Sequence, residues 1–131
     1  GCGGDEGYAH RSLKLTFDQR ELPENTAKIR YFVLPGILSD QSEIDCFNFI
    51  GDDPPDKIYD YSAEFVESST VDVDATLGRA EVIIEDLPEY LLIFYVEALD
   101  VGTNVIACGC GKGTIEAGKK EIIVIRLVEC S

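Results

Sequence analysis

The chain has 131 residues, 45% apolar and 27% charged, which is one domain's worth of ordinary globular composition. A chain of that length removes about 65–70% of its unfolded surface from water, enough for one core without a metal. Its net charge of −14 repels phosphate backbones and anionic bilayer faces, which excludes nucleic acid as a partner.

The first residues read GCGGDEGYAH. Residues 1–11 are expected to form a flexible tether, and residues 12–131 one domain. The Gly-Cys pair followed by small and acidic residues resembles the end of a bacterial lipobox. The resemblance implies that Cys2 carries the lipid, with Gly3 in the position that sends such proteins to the outer membrane. No run approaches the roughly 20 apolar residues of a membrane helix, so any membrane contact is expected through that lipid alone.

From Ser12 to Asp18, Leu13, Leu15 and Phe17 alternate with Ser12, Lys14, Thr16 and Asp18, the pattern of a half-buried strand. AKIRYFVLPG, residues 27–36, predicts a second strand stopped by Pro35-Gly36. Residues 37–56 are irregular, with room for one helical turn or a short strand around Cys46. KIYDYSAEFV, TVDVDAT and RAEVIIEDL follow as expected strands. LPEYLLIFYVEALD is expected as a long strand, and VGTN then turns the chain into VIACGCGKGTIEA. GKK turns it again into EIIVIRLVEC. Seven to nine short strands with turn residues between them predict an all-β fold, a single antiparallel sandwich of immunoglobulin-like or transthyretin-like type.

Two of these strands are apolar on both faces. Tyr90, Leu92, Phe94 and Val96 oppose Leu91, Ile93 and Tyr95, while Ile123, Ile125 and Leu127 oppose Ile122, Val124 and Val128. An antiparallel sheet normally wets one face, so something must cover the outer one. The candidates are the chain's own 37–56 segment and a neighbouring subunit or partner.

Five cysteines sit at positions 2, 46, 108, 110 and 130. With Cys2 set aside, four remain, an even number that suits disulfides in an oxidising compartment. Cys108 and Cys110 lie about 7 Å apart along one strand face, too far to bridge each other. A hairpin that pairs Glu116 with Lys120 puts Cys108 opposite Val128 and diagonal to Cys130. The expected bridges are therefore Cys108–Cys130 and Cys46–Cys110, with glycines 109, 111 and 113 suggesting a bulge nearby. A zinc site or a redox couple fits less well. No CxxC occurs, and the one histidine, His10, lies in the tether.

The run from Leu87 to Leu127 resembles the C-terminal half of bacterial envelope lipoproteins with immunoglobulin- or transthyretin-like sandwiches. It does so through Pro88, Tyr90, Val96, Glu97, Ala98, Asp100, Gly109, Cys110, Ala117, Gly118 and Leu127, and departs at Glu89, where glycine is usual. The segment around Cys46 is similar to that group's cysteine segment. The resemblance implies a fold and an address but no chemistry.

No phosphate-cradling glycine motif occurs, and a domain body without histidine cannot assemble a Ser-His-Asp or Cys-His engine, so no catalytic residue is expected. No cofactor is expected. Calcium is a weak candidate at Asp52, Asp53 and Asp56 in GDDPPD and at Asp72 and Asp74 in DVDAT, neither of which has EF-hand spacing. The expected function is that of a non-catalytic envelope lipoprotein at the bacterial outer membrane or cell surface. It would serve structure or assembly through contacts with itself or another envelope protein. The alternative is a monomeric surface module for carbohydrate, peptide or calcium, with Tyr59, Tyr61 and Phe65 as a possible sugar face.

Overall fold

The computed structural model describes residues 12–17, 22–73, 80–85, 87–115 and 120–130. Cys2, His10, Asp74, Ala117 and Gly118 lie outside the described residues. The chain is all-β with short 3-10 turns: β1 Ser12–Phe17, β2 Lys28–Pro35, η1 Cys46–Asn48, η2 Ile58–Glu64, β3 Glu67–Asp72, β4 Ala80–Ile84, β5 Leu92–Leu99, β6 Val105–Gly113 and β7 Lys120–Val124.

Two sheets form. One runs β3-β2-β5-β6 and is antiparallel throughout; the other runs β4-β1-β7. In the second sheet β1 pairs antiparallel with β4 but parallel with β7, from Ser12↔Lys120 to Thr16↔Val124. The antiparallel expectation therefore holds in the four-stranded sheet and fails at this one pair.

Alternation along β2 and β5 sorts their side chains to two cores. Ile29, Tyr31 and Val33 of β2 join Leu92, Phe94, Val96 and Ala98 of β5, with Ile84, Ile125 and Leu127 closing the same cluster. Because Ile84 belongs to the three-stranded sheet, this cluster lies between the two layers. The opposite faces give Phe32 and Leu34 with Ile93 and Tyr95, covered by Leu38, Ile44, Phe49 and Ile58. All eight residues of β5 are buried, and the second cover comes from the chain's own residues 37–58.

The glycines of β6 have a specific task. Gly109 pairs with Val96, Gly111 with Phe94 and Gly113 with Leu92, so all three face the inter-sheet core beside large side chains. A Cβ on Gly109 would sit 2.5 Å from Ile125 Cγ2 and 2.7 Å from the Arg126 carbonyl oxygen; one on Gly111 would sit 2.8 Å from Ile125 Cδ1. The missing side chains admit the segment after β7 at close range. They do not mark a bulge. The register shift in this pair falls instead between Ala98 and Leu99, where Val105 follows Ala107 as partner.

Two further sequence expectations change here. KIYDYSAEFV forms η2, not a strand, because Ile58, Tyr61 and Phe65 reach the outer core from a short 3-10 turn. The expected β6–β7 hairpin is not a sheet pair, since β7 joins β1. Only later does the chain meet β6, at the Cys108↔Val128 bridge, whose two backbone hydrogen bonds measure 2.8 and 2.7 Å.

Candidate binding cleft

The outer face of the four-stranded sheet is laid out in rows by its register. One row reads Thr70, Arg30, Glu97, Cys108; the next reads Ser68, Phe32, Tyr95, Cys110; a third holds Leu34, Ile93 and Lys112. Period-two geometry thus puts both β6 cysteines on this face, opposite the glycines.

Cys110 is bonded to Cys46 with Cα atoms 5.6 Å apart, and Cys108 to Cys130 with Cα atoms 5.3 Å apart. These are the two pairs expected from the sequence, Cys108–Cys130 through the assumed hairpin and Cys46–Cys110 as the cysteines that remained. The first fastens the 37–65 cover to the sheet edge. Around it, Asp45 caps η1 by accepting from the Cys46 amide, while Asn48 Oδ1 accepts from the Asp45 amide in return. Lys112, in the row below Cys110, donates to Asp45 and holds its carboxyl below the usual carboxylate range.

Between this cover, the end of β5 and the Cys108–Cys130 bridge lies a cleft of about 400 Å³. Its walls include Phe49, Ile58, Tyr59, Tyr95, Val105 and Glu129. Glu97 also lines it and is 5% exposed, the one charged side chain among the described buried residues. The Tyr59 hydroxyl donates to Glu97 Oε1 at 2.6 Å, and Arg30 Nη1 reaches the same oxygen at 3.5 Å and the Tyr59 oxygen at 2.7 Å. Burial, then the hydrogen bond to Glu97, raises the Tyr59 pKa; burial, then the Glu97 charge, raises that of Tyr95 further. Tyr95 also points its hydroxyl at Cys108 Sγ, 3.1 Å away.

The residues named from sequence are dispersed over several places. Asp52 and Asp53 are exposed in the loop before η2, whereas Asp56 turns inward and accepts from Asn48 Nδ2 at 2.8 Å and the Tyr61 hydroxyl at 2.7 Å. That second bond is the chief reason the Tyr61 pKa is pushed up to about 12. Asp72 sits at the end of β3 opposite Lys28, on a different element. Among the described residues no group of three His, Cys, Asp or Glu side chains could hold a metal ion. The proposed sugar face also divides: Tyr59 and Phe65 pack on Phe32 with ring centroids 5.4 and 5.0 Å away, while Tyr61 meets Phe49 at 5.4 Å.

Sequence reasoning gave Glu97 no role, although its signal was present. It is a lone acid in the apolar run YLLIFYVEAL, as Arg30 is the one charge inside the run IRYFVL, and a charge inside a buried strand requires a partner. No helix among the described residues is long and apolar enough to cross a membrane. Compared with known proteins, the chain matches no family model, no curated sequence and no solved structure.

Proposed function

We propose that this chain is a non-catalytic, disulfide-stapled envelope domain, exported from the cytoplasm and anchored through Cys2, that binds a ligand in the Glu97 cleft. The observation that carries the binding reading is the buried Glu97 carboxylate lining a cleft of about 400 Å³ under a stapled cover. Protein interiors do not bury an acid cheaply, and a few polar groups converging in an otherwise apolar recess are what fix a small ligand. Two disulfides in one domain support the extracytoplasmic address. Intact mass of material from the native source tests the anchor: acyl mass on Cys2 is expected, and an unmodified thiol contradicts it. The binding reading is tested by amide chemical shifts under a mixed fragment panel. Saturable shifts at Tyr59, Glu97 and Val105 are expected; shifts scattered over the surface contradict it.

Of the two sandwich types, the transthyretin-like one is our reading. An immunoglobulin constant-type domain pairs its first strand with its second and its third with its sixth. Here β1 lies between β4 and β7, and β3 pairs with β2, an order that supports the other type.

Assembly through protein contacts is the second reading. The two apolar faces of β5 no longer favour it, because the chain covers that strand itself. What does favour it is a separate apolar hollow at Pro35, where Ile37, Tyr90 and Leu91 are exposed together. Light scattering over a concentration series tests it: self-association is expected if the hollow pairs copies, and a strict monomer contradicts that.

A further inference from the structure

We infer that the cleft takes a primary alkylammonium group, seated on the second oxygen of the Glu97 carboxylate. This rests on the cleft reading above and adds the chemistry of the ligand. Both contacts of Glu97 fall on one atom: Tyr59 and Arg30 each reach Oε1. No described residue donates a hydrogen bond to Oε2. An ionised carboxylate has about four acceptor sites, and Oε2 is not among the fully buried atoms left without a partner, so with no described donor on it this oxygen is open to water at the cleft wall, where a donor from outside can take the water's place.

Charge selects the donor. Asp53, Asp56 and Glu129 line the same cleft with Glu97, against Lys57 in its wall and Arg30 behind Glu97, so the acids outnumber the bases and a cation is favoured over an anion. A divalent metal is disfavoured because it needs several converging oxygens, and the described acids do not converge. A guanidinium is disfavoured because its planar fork grips both carboxylate oxygens at once, and Oε1 already serves Tyr59 and Arg30. An ammonium is a point donor that one oxygen can hold. Phe49, Ile58 and Val105 supply apolar wall for an alkyl stem, and Tyr59 and Tyr95 line the same cleft.

The test titrates the oxidised full chain with n-butylamine, n-butanol and butyrate, read by amide shifts at Tyr59, Tyr95, Val105 and Glu129. Saturable binding of n-butylamine at least about tenfold tighter than of the other two is expected, the size of one charge-assisted hydrogen bond. Glu97→Gln is expected to erase that preference. Should Glu97→Gln fail to fold, Val105→Trp fills the cleft mouth without touching the acid, and it is expected to abolish the shifts. Adding Nα-acetyl-lysine methylamide and cadaverine separates a peptide-borne lysine from a free diamine; tighter binding of either supports the inference and names the source. Equal binding of butanol or butyrate, or a folded Glu97→Gln that keeps the preference, overturns the ammonium while leaving the cleft. Absence of any shift at these amides with every probe overturns the cleft reading itself.

Discussion

The phenols of Tyr59, Tyr61 and Tyr95 set an alkaline limit on the fold. Tyr59 and Tyr95 have pKa values raised first by burial, and Tyr61 is pushed up to about 12 first by its bond to Asp56. In the unfolded chain tyrosine titrates near about 10. Below that value both states keep their protons and these groups leave stability unchanged with pH. Above it the unfolded chain releases protons that the native chain retains, so stability falls as pH rises through the folded values. Urea unfolding is expected to give a level midpoint to about pH 9 and a declining one above about pH 10. Native tyrosinate absorbance should lag that of the denatured protein over the same interval. A midpoint flat to pH 11, with all tyrosines ionising together, contradicts these hydrogen bonds and contacts. The Arg30–Glu97 pair belongs to the same network: the two are cross-strand neighbours, so the sheet register itself brings base to acid. Arg30→Met is expected to cost about 1–3 kcal/mol in a urea titration, because it strips a partner from a buried carboxylate.

At the scale of the element, β6 carries two messages on alternate residues. Its cysteines face the outer cover and its glycines face the inner core. Gly109→Ala would bring a methyl group against the Arg126 backbone oxygen, which cannot swing aside, and is expected to cost about 1–3 kcal/mol. Gly113→Ala meets Ile123 Cδ1 at an ordinary 3.4 Å, so the same substitution four residues on is expected to cost well under half as much. Equal effects on thermal midpoint at the two sites contradict this account of the glycines. The cover makes a different demand. Replacing Cys46 and Cys110 together by serine frees a closure of 64 residues, with up to about 4 kcal/mol of loop entropy restored to the unfolded chain. Dye binding to the uncovered Phe32, Leu34, Ile93 and Tyr95 should rise while the β-sheet circular dichroism persists.

Much of this was readable from the sequence, and the failures have physical causes. β1 declared itself through alternation, β2, β5 and β6 as strand-like runs bounded by turn residues, and the pairing of Cys108 opposite Val128 followed from counting across a hairpin. Counting could not reveal which sheet β7 would join, because a strand apolar on both faces satisfies either layer. The turn at η2 was misread for a related reason. Ile58, Tyr61 and Phe65 are spaced three and four apart, but the tyrosines at 59 and 61 imitate strand alternation over so short a run. The cleft was not legible at all. It is made by a cover, a strand end and the C-terminal segment, which meet only in the folded chain.

For the whole molecule, both staples converge on one edge strand. Cys110 fixes the cover across the outer face, and Cys108 fixes the C-terminal segment alongside β6, whose exposed edge would otherwise invite pairing with another chain. The cleft lies between those two attachments, so its shape depends on both sulfur bridges, and its acidic surroundings sit on a chain of net charge −14. Closure of the outer core and formation of the cleft are therefore linked through the same four cysteines.

The most direct measurement is peptide mapping of the freshly isolated protein, alkylated before denaturation and digested without reductant. The account predicts disulfide-linked peptides joining Cys46 to Cys110 and Cys108 to Cys130, with none of the four alkylated. Recovery of these four side chains as free, alkylated thiols, or of peptides joined in another pairing, would contradict it.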